Sequence, residues 1–143
     1  PLPVKFEAGT QNFASSATLK PAIEVANKLN DNKLVENLDS IRDYLLDYFR
    51  KDERIRLYGV PRGTNQEKIP LFSFSVKDVH HEDLALILDK MGIAVRSGQM
   101  CAEPLMDRFG VTGMLRVSFA PYNTLAEAEY FVKCLNKAID MLV

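Results

Sequence analysis

Near the C-terminus the hydrophobic pattern changes period within a few residues. From 114 to 119, Leu115, Val117 and Phe119 fall on one side and Met114, Arg116 and Ser118 on the other. That alternation is the mark of a strand. From 125 to 142, Leu125, Ala128, Phe131, Val132, Leu135, Ala138, Ile139 and Leu142 recur three and four residues apart, the period of an amphipathic helix. Thr124 and Glu127 stand at the spacing of a capping box, which starts the helix there.

The same reasoning places three more helices. One runs from about Lys33 to Arg50, with Leu34, Leu38, Ile41, Leu45 and Phe49 on a stripe. One runs from about His81 to Met91, with Leu84, Ile87, Leu88 and Met91 inward, and stops at Gly92. The first, from about Asn12 to Leu29, contains Pro21, which removes a helix hydrogen bond and predicts a kink or a late start. Strands are expected at Ile55–Val60, Leu71–Val76, Ile93–Ser97 and Leu115–Pro121. The stretch from Val60 to Pro70 reads as a surface connection inside one domain. Strands separated by helices predict an α+β or α/β fold, a small sheet with helices packed on one face.

Composition narrows the function classes. In 143 residues, 18 basic side chains face 19 acidic ones, which argues against a dedicated nucleic-acid binder. The apolar runs are too short for a transmembrane helix, so no membrane is expected. The N-terminus lacks the charged-then-apolar pattern of a signal peptide. Cys101 and Cys134 form no CxxC pair, so neither a disulfide framework nor a zinc ribbon is expected. The chain reads as cytoplasmic and reduced. It begins at Pro1, either a processed terminus or a piece of something longer.

Residues 94–106, AVRSGQMCAEPLM, hold the most chemistry. A strand ends, Gly98 allows a sharp turn, and Cys101 follows in a short irregular stretch before a helical turn at Glu103 to Arg108. A cysteine on a loop near an arginine meets the conditions for a partly ionised, nucleophilic thiol. The competing reading is a small buried hydrophobe. Arg116 lies on its strand opposite the apolar positions, so it faces solvent or a polar cleft, where its planar fork suits a carboxylate. Arg96 has the same ambiguity. In FEAGT, residues 6–10, a short extended segment leads to a helix. Gly9 permits close approach there, and Thr10 offers a hydroxyl and an N–H suited to phosphate or to ordinary capping. His80 and His81 sit at a helix start, about 100° apart around the axis, which favours capping over a shared metal. Cys134 is read as packing.

Taken together, FEAGT, RLYG at 56–59, DVHHEDLALILDKMGIAVRSG at 78–98, CAEPLM at 101–106 and LRVSFAPYNT at 115–124 resemble the C-terminal part of Suf-type cysteine desulfurases. These are pyridoxal-phosphate (PLP) enzymes of the class V aminotransferase family. RSG-x-x-C, followed by R-x-S-x-x-x-Y-N with its arginine fifteen residues after the cysteine, is the most specific part. The resemblance implies an α+β small domain with a mixed or antiparallel sheet at 31–143, and a segment at 1–30 leading out of a large domain. It implies that Cys101 takes sulfur from the substrate cysteine as a persulfide, that Arg116 grips the substrate carboxylate, and that Arg96 is a second active-site arginine. Gly9 and Thr10 would reach the PLP phosphate of the neighbouring subunit of a homodimer. A sulfur-acceptor protein and iron–sulfur cluster assembly follow from the same resemblance. Gln99 and Met100 stand where the family often has His-His. No segment resembles the family's Ser-x-His-Lys motif, so the lysine that holds PLP would belong to a large domain, and this chain alone is expected to be inactive. Another class V aminotransferase, a selenocysteine lyase and a non-catalytic sulfur-acceptor or regulatory domain are the alternatives.

Overall fold

A computed structural model describes residues 2, 4–6, 8–29, 32–59 and 68–143. Residues 4–6 form a single 3-10 turn rather than the extended segment expected there. The elements that follow are α1 (Phe13–Leu29), α2 (Asn32–Lys51), β1 (Ile55–Tyr58), β2 (Leu71–Val76), α3 (His81–Lys90), β3 (Arg96–Gly98), α4 (Glu103–Phe109), β4 (Met114–Ser118) and α5 (Leu125–Asp140). The strands form one sheet in the order β1-β2-β4-β3, with every neighbouring pair antiparallel. The fold is therefore α+β, with an antiparallel sheet. Of the connection expected at 60–70, residues 60–67 lie outside the described residues.

Alternation decides the two faces. Phe72, Phe74 and Val76 of β2 share one face with Leu115 and Val117 of β4, and all five are buried. Against them pack Ile41, Leu45 and Phe49 of α2, Leu84 and Leu88 of α3, and Phe131, Leu135 and Ile139 of α5. Burying aliphatic and aromatic side chains of this size contributes about 1.5–3 kcal/mol each. The start of α5 is fixed as expected: Thr124 Oγ1 accepts from the Glu127 N–H, and the Glu127 carboxylate accepts from the Thr124 N–H. Those bonds hold the Glu127 carboxyl below its ordinary pKa, the Thr124 N–H being the largest cause.

Several expectations shift. β3 begins at Arg96 rather than Ile93, because Ile93 and Val95 pack against the core without ladder partners and pairing starts only opposite Arg116. β1 and β4 end earlier than expected, at Tyr58 and Ser118. Helix α1 runs through Pro21 from Phe13 to Leu29, so the late start does not occur. Its residues are all exposed, so water can solvate the Ala17 carbonyl that Pro21 leaves without a donor. No described helix is long and apolar enough to cross a membrane.

Gly113, just before β4, is a close-approach glycine. A Cβ there would overlap the imidazole of His81 at the start of α3. His81 Nδ1 is buried without a partner, and burial, with His80 beside it, pushes the imidazole below its ordinary pKa. Gly113→Ala is expected to destabilise the fold by about 1–3 kcal/mol through overpacking. In a His81→Ala background the same change should cost much less. Urea midpoints for the four proteins of that cycle check it, and additive effects would contradict the contact.

Candidate active site

The sheet face turned away from the main core carries the two arginines singled out by sequence, Arg96 and Arg116. One register row crosses all four strands: Tyr58 pairs with Ser73, Ser73 with Arg116, and Arg116 with Arg96. Directly opposed residues of antiparallel strands share a face, so Arg96, Arg116 and Ser73 leave the sheet on the same side, at neighbouring positions. Arg116 is half-buried and Arg96 exposed. Neither makes an ion pair among the described residues, whereas Arg42 and Arg54 are paired with aspartates. Like charges opposed on a sheet repel. An anion placed between or over them removes that repulsion, and a carboxylate suits the planar forks.

A second, smaller core covers the rest of this face. Tyr58, Met106 and Met114 are buried together, with Met100, Ala102, Phe109 and Val111 packed against them. The Tyr58 hydroxyl hydrogen-bonds Ser75 Oγ at 2.9 Å, its ring lies 4.9 Å from that of Phe109, and the Arg56 guanidinium sits 5.0 Å from its centroid. This cluster folds α4 back over the sheet. Met100 and Ala102 both touch it, which brings Cys101 onto the same side as Arg96 and Arg116. Cys101 is exposed and Cys134 buried. Exposure of Cys101 sets aside its reading as a buried hydrophobe, and the buried Cys134 is packing, as expected.

Gly9 and Thr10 are exposed at the entrance to α1, and Gly9 has a φ of +94°. They belong to the segment before that helix and not to the arginine face. Glu7, between Phe6 and Gly9 in the same motif, lies outside the described residues. His80 caps α3 as expected, its Nδ1 accepting from the Glu82 N–H, whereas His81 is half-buried against Gly113 instead of capping or lying exposed. No group of described residues is arranged to hold a metal ion.

Two guanidiniums with no ion pair among the described residues suit a small carboxylate. Neither the arginine row nor the Cys101 turn includes a lysine that could hold an aldehyde cofactor such as PLP covalently. Lys68, whose ammonium burial pushes below its usual pKa, lies 5.6 Å from the ring of Phe72, a residue of the opposite face. It is not aimed at the arginines. Sequence reasoning missed Ser73 and Tyr58. The alternation of β2, Leu71-Phe72-Ser73-Phe74-Ser75-Val76, carried the signal for Ser73, but only the register sets it beside Arg116.

The family model described as "Aminotransferase class-V" matches residues 1–131. A probable cysteine desulfurase of Vibrio cholerae is 39% identical over 141 residues, covering 99% of this chain and 34% of that protein. The cysteine desulfurase CsdA of Escherichia coli is 36% identical over 141 residues, with the same two coverages of 99% and 34%. The crystal structure of CsdA in its S-sulfonic acid form superposes with a TM-score of 0.82 at 35% identity, over 99% of this chain and 34% of that one. The apo cysteine desulfurase of Thermococcus onnurineus NA1 gives a TM-score of 0.67 at 33% identity, over 98% of this chain and 34% of that one. The chain thus spans about a third of the length of these relatives. A family match across most of its length, and the same fold in a solved cysteine desulfurase, place the chain in the class-V aminotransferase family.

Proposed function

We propose that this chain is the C-terminal portion of a PLP-dependent cysteine desulfurase, and that Cys101 is its sulfur-accepting nucleophile. The observation that carries the reading is the exposed Cys101 turn, folded onto the face of Arg96 and Arg116, which have no ion pair among the described residues. Arg116 grips the substrate carboxylate with its planar fork, and Arg96, directly across, adds positive potential and a second set of donors. PLP, when bound, supplies the electron sink that labilises bonds of the amino acid. Gly9 and Thr10 contribute backbone and hydroxyl donors to the cofactor phosphate of a neighbouring subunit in a homodimer. Residues 1–30 lead out of the large domain that holds the cofactor lysine. Helix α1, exposed along its whole length and apolar at Phe13, Leu19 and Ile23, is consistent with a segment packed against such a domain.

In the sulfur transfer the substrate's C–S bond breaks and an S–S bond forms to Cys101 Sγ. The substrate Cβ gains a proton and leaves as the methyl group of alanine. Two thiols enter and one persulfide with one methyl group results, so no outside oxidant is needed. The persulfide then passes to an acceptor protein that supplies iron–sulfur cluster assembly.

The full-length protein should release alanine from cysteine, with one persulfide on Cys101 per turnover. The isolated 143-residue chain, given PLP and cysteine, should release none. Borohydride treatment of the chain with PLP should leave no lysine stoichiometrically labelled. Alanine production by the chain alone, or a single fully labelled lysine found by mass spectrometry, would overturn the division of labour proposed here.

A further inference from the structure

The turn that carries Cys101 has an uncommon backbone. The Ala102 N–H donates to the Gln99 carbonyl at 3.0 Å, closing a four-residue turn. Its two central residues, Met100 and Cys101, both have a φ of +57°. Positive φ at both central positions is the geometry of a type I′ turn, which Asn-Gly favours. A Cβ crowds the backbone in the left-handed region. Asparagine and aspartate offset that with local hydrogen bonds, which methionine and cysteine cannot make. The local sequence therefore works against the turn, and something outside it must hold it.

The candidate is Met100 itself. Its side chain is half-buried against the cluster formed by Tyr58, Met106 and Met114. Tyr58 is in turn fixed by Ser75 and Phe109. A thioether chain is suited to filling such an irregular pocket. Cys101, the next residue, is exposed. We infer that Met100 is a positioning residue: its side chain, packed against the cluster of Tyr58, Met106 and Met114, holds the strained turn and so keeps the Cys101 thiol presented on the arginine face. The functional part of this inference rests on the reading of Cys101 as the sulfur acceptor. The structural part does not.

Two variants separate anchoring from local preference. Met100→Asn improves the left-handed preference and removes the apolar anchor. Met100→Leu keeps an apolar anchor. In the chain itself, hydrogen exchange at the Ala102 amide reads the turn. It should accelerate about tenfold or more in Met100→Asn, the factor expected for losing roughly two buried methylene-sized groups. It should stay within about twofold in Met100→Leu, and circular dichroism should show both variants folded. In the full-length protein, Met100→Asn should lower kcat for persulfide formation by about tenfold with KM for cysteine unchanged, because the arginine face is untouched, and Met100→Leu should restore kcat. Unchanged Ala102 exchange in Met100→Asn would overturn the anchor. Faster exchange with an unchanged kcat, in a protein that Cys101→Ser inactivates, would overturn the positioning role. If Cys101→Ser left activity intact, the sulfur-acceptor reading would fail, and the exchange measurement would still decide whether Met100 holds the turn.

Discussion

In the full-length protein, Cys101→Ser is expected to reduce persulfide formation by a factor of roughly a thousand or more, the scale seen when a catalytic nucleophile is removed. Serine is nearly isosteric, so the exposed turn should survive. Its hydroxyl does not ionise near neutral pH and cannot form the S–S bond that stores the sulfur. Cysteine binding should persist, because the arginine row belongs to β3 and β4 and not to the turn. Cys134→Ser serves as the contrast. Cys134 is buried against the core of α5, so its replacement should lower stability without removing the persulfide. The measurements are mass-spectrometric detection of the persulfide after one turnover and spectral titration with cysteine. A Cys101→Ser protein that still accumulated protein-bound sulfane sulfur would move the acceptor elsewhere, to Cys134 or to another part of the protein.

The fold was legible where burial follows local period. β4 and α5 declare themselves because one face of each is apolar at fixed spacing, and the structure buries those faces. Alternation says which side a residue takes but not what covers that side. Met114 therefore read as outward, although α4 returns over it and buries it beside Tyr58 and Met106. The start of β3 was misplaced for a related reason. Ile93 and Val95 have the apolar alternation of a strand, yet their contribution is packing, and the ladder begins later.

For the site, the residue types were visible and their juxtaposition was not. Arg96 and Arg116 were ambiguous one at a time, and only the antiparallel register sets them directly across from each other. Met100 illustrates the limit most clearly. In the sequence it marks a departure from His-His, a loss of imidazole. It packs against a cluster drawn from three other elements, Tyr58, Met106 and Met114, which no local pattern encodes. Nor does local pattern favour left-handed backbone at Met100 and Cys101, which is why tertiary contacts are needed to hold it.

Arg116→Lys in the full-length protein is expected to lower kcat/KM for cysteine by about tenfold to a hundredfold. Lysine keeps the positive charge but gives up the two parallel hydrogen bonds of the guanidinium. One charge-assisted hydrogen bond is worth roughly 1.5–3 kcal/mol, which sets that range. Arg96 stays in place across the strand, so binding should weaken rather than vanish. The loss should appear in spectral titration with cysteine, while passage of sulfur from a pre-loaded Cys101 persulfide to an acceptor stays nearly unchanged. Stability separates this role from a structural one. Arg116 has no ion pair among the described residues and faces a like charge. Arg116→Gln relieves that repulsion and should change folding stability by less than about 0.5 kcal/mol, with whatever gain it brings shrinking as added salt screens the arginine pair. A residue that costs function and little or no stability is one whose charge is held ready for a ligand. If Arg116→Lys left the cysteine titration unchanged and Arg96→Lys weakened it, the carboxylate would be held by Arg96. If neither changed it, the arginine row would have to be assigned to another anion.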